Sequence, residues 1–160
     1  MADKKNAAQS ADGNPYDVIV VGAGAAGVGV GISLQHVGIE NYLVVDRASV
    51  GASFAAWPAE TRFITPSFPS NSIGMLDLNS IGIGISPAFN MRVEHPTGPE
   101  YAEHLQSLAE FFELPVRENT DVLSIEKKDD VFHLDEKRDA PRQERHLGGG
   151  RIPIPLAGRF

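Results

Sequence analysis

Residues 16–47 read YDVIVVGAGAAGVGVGISLQHVGIENYLVVDR, and this stretch decides the fold. The apolar run at 18–21 predicts a strand, and Gly22, Gly24 and Gly27 form a glycine turn after it. A helix is expected over about 25–37, then a second strand at 42–45 ending on Asp46. The first glycine permits a tight strand-to-helix turn, the second lets the backbone approach a pyrophosphate, and the third lets helix and sheet pack closely. Gly31, four residues further on, extends that small-residue face of the helix. The helix N-terminus would offer unpaired N–H groups and the positive end of its dipole to phosphates. Asp46 follows Gly27 by 19 residues, where an acid closing the second strand can bond a ribose hydroxyl. A glycine triplet alone reads equally well as a flexible loop. With strand, helix and acid all in place, it implies a dinucleotide site.

Working outward, the chain of 160 residues is long enough for one ordinary domain with a sizeable core. A hydrophobic share of 42% and a charged share of 22% belong to the soluble globular class. The formal charge of −7 and the absence of a basic stripe argue against a nucleic-acid partner. No cysteine is present, which excludes disulfides, thiolate metal sites and a redox Cys pair from this sequence and fits a cytoplasmic protein. Lys4 and Lys5 ahead of the apolar run at 18–34 imitate a signal peptide or membrane helix, but glycine and alanine fill the middle of that run and Asp12 and Asp17 precede it. The strand–turn–helix reading accounts for that spacing, so no membrane segment is expected and residues 1–15 read as a disordered polar arm.

Beyond Asp46, a connection over 47–53 carries Gly51 and leads into FAAWPAETRFITPSFPSNSIGMLDLNS. Prolines 58, 66 and 69 predict an extended, turn-rich segment there. The alternation IGIGI at 81–85 is open between a short strand and a loop. The clearest further helix spans 99–113, where Tyr101, Leu105, Leu108 and Phe112 form one apolar stripe. Thr97 and Glu100 have capping-box spacing there, with Pro99 in the first turn. His95 and His104 beside this stripe read as surface or core-edge residues rather than ligands. A strand follows Leu114 and Pro115. DVLSIE at 121–126 and VFHL at 131–134, separated by the polar 127–130, predict a hairpin. This order suits a doubly wound α/β domain with an antiparallel ribbon.

The combination of VIVVGAGAAG, LVVDR, SFAAWPAETRFITPSF, HPTGPEYAEHLQ and DVLSIE resembles the N-terminal part of FAD-dependent oxidoreductases, with flavin-containing monooxygenases and the pyridine nucleotide–disulfide oxidoreductase-like group as the nearest types. The resemblance covers about residues 17–134, and its specificity comes from the WP…TR…TPSF segment in its expected place. It implies a Rossmann-like doubly wound FAD-binding domain, incomplete, with an antiparallel hairpin. It implies that Gly22, Gly24, Ala25 and Gly27 meet the FAD pyrophosphate, that Asp46 holds the adenosine ribose, and that Arg47 and Ser53 flank the phosphate and ribose. Trp57 and Thr65 would lie near the flavin, Trp57 having a packing role as its alternative, and Val122 would meet the adenine. That family usually carries glutamate where Asp46 stands. In the full-length family NAD(P)H reduces the flavin, which passes electrons to oxygen, a disulfide or another acceptor.

From Asp135 the sequence changes to DEKRDAPRQERHLGGGRIPIPLAGRF, with aperiodic charge, three consecutive glycines and two Ile-Pro steps. Residues 16–134 are therefore expected to form a partial FAD-binding domain and 135–160 an irregular tail. No second glycine fingerprint for NAD(P)H is visible. Suitable synonymous codons for 145–160, read one nucleotide on, can encode VIWAAGEFQYPLPGGF, an apolar strand followed by a small-residue turn. The tail is therefore expected to be a shifted reading frame, with a natural disordered tail as the alternative. The sequence leads to the FAD-binding part of an NAD(P)H-dependent flavin oxidoreductase, a fragment without turnover of its own. The rivals are a non-catalytic nucleotide-binding or regulatory module and a simple NAD site. Glu60, His95 and His104 are the available acid–base candidates, no metal is expected, and the sequence names neither a small-molecule substrate nor an oligomeric state.

Overall fold

The computed structural model describes residues 14–64 and 77–138. A parallel three-stranded sheet forms its centre, built from β1 (Val18–Val21), β2 (Tyr42–Val45) and β3 (Val116–Arg117) in the order β1-β2-β3. Val18 to Val21 register with Tyr42 to Val45, and Val44 and Val45 with Val116 and Arg117. All four residues of β2 are buried, as a central parallel strand covered on both faces requires.

Helix α1 (Ala25–His36) connects β1 to β2 and buries Gly27, Val28, Gly31 and Ile32. A Cβ at Gly31 would press on Leu114 at 3.2 Å and lie 3.6 Å from Val44, so the small residue does bring helix and sheet together. After β2 the chain makes the four-residue helix α2 (Ala52–Ala55). This turn of helix spans the end of the connection read over 47–53 and the start of the segment read as extended and turn-rich, ahead of the breaking proline, Pro58. The IGIGI stretch is a loop.

Helix α3 (Pro87–Met91) precedes α4 (Gly98–Phe111), whose buried face carries Tyr101, Leu105 and Leu108. The capping box forms: Thr97 Oγ1 accepts from Glu100 N at 3.3 Å and Glu100 Oε2 accepts from Thr97 N at 2.7 Å. The core joins α1, β2 and α4 through Val28, Ile32, Val44, Leu105, Leu108 and Leu114.

A buried polar group fastens the segment before α3 to this core. Asp77, only 1% exposed, accepts from Ser86 Oγ at 2.6 Å and from Asn79 N at 2.7 Å, and Tyr101 donates its hydroxyl to the Asn79 carbonyl at 2.9 Å. Each partner offsets part of the desolvation of a buried carboxylate.

The chain ends its described part in an antiparallel ribbon of β4 (Thr120–Lys128) and β5 (Val131–Arg138). Asp129 and Asp130 turn it with φ of 48° and 63°, the paired left-handed conformation that suits a two-residue hairpin. Strand β5 runs through Asp135 to Arg138, beyond the point where the irregular tail was expected to begin. Its outer residues pair as Lys137 with Asp121 and Arg138 with Thr120, the first of these setting opposite charges across the ribbon. The remainder of the tail, 139–160, and the arm at 1–13 lie outside the described residues, as does Thr65. Among the described residues no helix is long and apolar enough to cross a membrane.

Candidate functional site

The C-terminal ends of the parallel strands open into a cleft of about 450 Å³, within the ~300–1,000 Å³ range of small-molecule sites. Crevices outside the carboxyl ends of strands are where open α/β sheets bind ligands. Gly22, Gly24, Asp46, Arg47, Ser53 and Val122 all line this one cleft. Six of the sequence-derived positions, spread over four segments, are thus brought together. Ala25 and Gly27 belong to the first turn of α1, behind the lining.

The three glycines differ in what surrounds them. Gly22 adopts φ of +105°, which lets the chain leave β1 sharply. A Cβ on Gly27 would collide with the Gly22 carbonyl oxygen and stand 2.9 Å from its carbon, so turn and helix close on each other there. A Cβ on Gly24 would meet nothing nearer than Ser53 Oγ at 3.9 Å. Gly24 is therefore small for the sake of the open cleft and Gly27 for the sake of the fold.

Gly24 is the N-cap of α1 and no side chain caps the helix there. The first-turn N–H groups lack the partner that Ser, Thr or Asp would supply, which leaves a cradle for an anion. Asp46 sits beside it, its Oδ2 accepting from Ala23 N and its Oδ1 from Ala48 N, both at 2.7 Å. Arg47 is exposed at the rim, and buried Thr120 closes the floor.

Thr120, Asp121, Ala48, Ala52 and Ala56 also line the cleft and were not anticipated. Adjacency in sequence to an expected site residue was the one available signal: Asp121 precedes Val122, Ala48 follows Arg47 and Ala52 precedes Ser53.

Trp57 lies outside this cleft. Its ring packs 5.3 Å from Phe54 and 5.2 Å from Phe63, and Tyr101 of α4 joins at 5.0 Å from Phe54 and 4.6 Å from Phe63. The acid–base candidates are scattered as well. Glu60 is exposed, and His95 Nδ1 is 2.8 Å from the Phe63 carbonyl. His104, expected at the surface or core edge, is 3% exposed and its Nε2 has no partner. Burial pushes the His104 pKa down to about 4, with the Asp77 charge opposing the shift, so the imidazole is neutral near neutral pH. Burial likewise pushes the neighbouring Tyr101 hydroxyl up to about 12. Among the described residues no group of histidines and acids could hold a metal.

The family described as pyridine nucleotide-disulphide oxidoreductase matches residues 19–143. An uncharacterized oxidoreductase, CzcO-like, of Geobacillus kaustophilus (strain HTA426) is 42% identical over 40 residues, covering 25% of this chain and 12% of that protein. Among solved structures, the bacillithiol disulfide reductase Bdr (YpdA) from Staphylococcus aureus aligns with a TM-score of 0.61 at 18% identity, over 78% of this chain and 34% of its own. A flavin-containing monooxygenase from Stenotrophomonas maltophilia aligns with a TM-score of 0.57 at 20% identity, over 76% of this chain and 33% of its own. At such identities the likeness establishes a shared Rossmann-type fold. The chain spans about a third of the length of these structures.

Proposed function

The chain belongs to the pyridine nucleotide-disulphide oxidoreductase family, and from that premise we propose that it is the FAD-binding part of an NAD(P)H-dependent, monooxygenase-like flavin oxidoreductase. The cleft over Gly22, Gly24 and Asp46 holds the adenosine diphosphate half of the cofactor. The uncapped turn of α1 takes the pyrophosphate, Asp46 retains lone pairs for a ribose hydroxyl, Ser53 and Arg47 flank the phosphates, and Val122 meets the adenine. The observation that carries this reading is the space at Gly24: the backbone at the helix N-terminus is bare toward the cleft, with Ser53 Oγ the nearest atom to an added Cβ, at 3.9 Å.

The bound flavin would supply two-electron redox chemistry, and the residues of this chain bind and orient it. Trp57 stays within the proposal as a residue of the aromatic group beside the cofactor region. The NAD(P)H site and the acceptor belong to sequence outside residues 14–138, so turnover requires more than this part. The shifted frame proposed for the tail is tested by reading the coding DNA through codons 130–160. The absence of cysteine fits a cytoplasmic setting.

Purification tests the cofactor assignment. A yellow protein carrying stoichiometric flavin, or a colourless one that quenches FAD fluorescence on titration, supports it. A colourless protein that binds adenine nucleotides but not FAD supports the non-catalytic nucleotide module instead.

A further inference from the structure

Asp46 is the most heavily used residue at the cleft, and its bonds reach well beyond a ligand. Its main chain sews β2 to β3 and β4: Asp46 N donates to the Arg117 carbonyl at 3.1 Å, and Thr120 N donates to the Asp46 carbonyl at 2.8 Å. Its side chain faces the other way, each oxygen accepting a backbone N–H at 2.7 Å, one from Ala23 in the glycine turn and one from Ala48 in the following loop. That distance belongs to charge-assisted bonds. Both loops are held again on their far sides. The Ala23 carbonyl accepts from Gly51 N at 2.9 Å, and the Ala48 carbonyl accepts from Asn119 N at 3.1 Å.

We infer that Asp46 is a positioning residue that presets the glycine turn, its carboxylate bridging the Ala23 and Ala48 amides so that the N-terminus of α1 is already arranged for a pyrophosphate. The inference rests on the cofactor reading above and adds to it a role that does not pass through the ribose. Asparagine tests the geometry because it keeps the size of the side chain but offers one acceptor oxygen. Its NH2 group would face the other amide donor, so one strut is lost and one N–H is left unpaired.

The experiment measures binding of ADP, and of the ADP analogue lacking both ribose hydroxyls, to the whole chain and to its Asp46→Asn variant. A preset turn predicts that the variant binds both ligands more weakly, by roughly tenfold or more and by similar factors. If the variant loses affinity for ADP alone and binds the analogue as the unaltered chain does, Asp46 is a ribose contact and the inference is overturned. If the unaltered chain binds neither ligand, the cofactor reading itself fails, and this result is distinct from the previous one. Amide hydrogen exchange on the unaltered chain decides the matter even if the variant does not fold. Ala23 and Ala48 should exchange slowly, and unprotected exchange at these two positions while Val44 and Leu105 stay protected overturns the strut.

Discussion

Gly27 stands so close to Gly22 that its α-hydrogen faces the Gly22 carbonyl, and a Cβ there would overlap that oxygen. The contact is backbone against backbone, so no side chain can rotate away to relieve it. Gly27→Ala should therefore destabilise the domain by about 2 kcal/mol or more, in the range of overpacked sites. A thermal or urea melt of the variant beside the unaltered chain measures this, and unchanged midpoints would show that the turn can open without loss.

Gly24→Ala is the complementary case. Gly24 has φ of −79°, accessible to alanine, and the new methyl would lie 3.9 Å from Ser53 Oγ. The melting midpoint should stay close to that of the unaltered chain while FAD affinity falls by at least tenfold, since the methyl occupies the space the cofactor needs. Equal affinity in the variant would move the pyrophosphate elsewhere.

These two glycines illustrate how much was legible in the sequence. The βαβ unit was readable because an apolar period, a glycine turn and an acid at fixed spacing are all local signals, and so was the capping box at Thr97 and Glu100. Bonds that depend on distant chain were not readable. Nothing in the spacing of Asp46 says that its carboxylate reaches back to Ala23, because that bond exists only after β1 and β2 pair. The burial of His104 was hidden by its polar identity on a helix whose stripe is defined by Tyr101, Leu105 and Leu108. The outer half of β5 was missed because four consecutive charged residues, Asp135 to Arg138, leave no hydrophobic period to detect.

Buried His104 gives the fold a pH dependence with a definite sign. Its pKa falls from 6.5 in the unfolded chain to about 4 in the fold, so the stability linked to it is fully present above pH 6.5 and is lost as pH falls toward 4. Across that window the unfolded state holds one more proton, a slope of up to about 1.4 kcal/mol per pH unit. His104→Gln should flatten the slope between these limits, as read from melts at a series of pH values. A variant that keeps the full slope would place the titration on another group.

Glu100 titrates in the same direction at lower pH. The Thr97 backbone and hydroxyl bonds hold its carboxyl below the ordinary value of 4.5, so the capping box contributes above that pH and is lost below it. Thr97→Ala should lower stability at neutral pH by about 1 kcal/mol, the usual worth of an N-cap. Equal stability of variant and unaltered chain at pH 7 would mean that the box adds nothing.

The ribbon and the free edge of β1 predict self-association. Among the described residues β1 pairs on one side only, and a groove of about 420 Å³ beside it is lined by Ile19, Val21, Ile125, Phe132 and Leu134. Val21 and Ile125 are each 53% exposed and Phe132 is 62% exposed, a combination of open edge and apolar surface that favours aggregation. Sedimentation velocity should show concentration-dependent association that the double variant Ile125→Lys and Phe132→Lys reduces. A monodisperse monomer with a cooperative melt would contradict this.

The most direct test of the central claim is competition for bound FAD by its two halves. If the cleft over Gly24 and Asp46 holds the adenosine diphosphate part, ADP should displace FAD from the whole chain in a saturable, one-to-one manner, and FMN should not. Displacement by FMN without displacement by ADP, or no FAD binding at all, would contradict it.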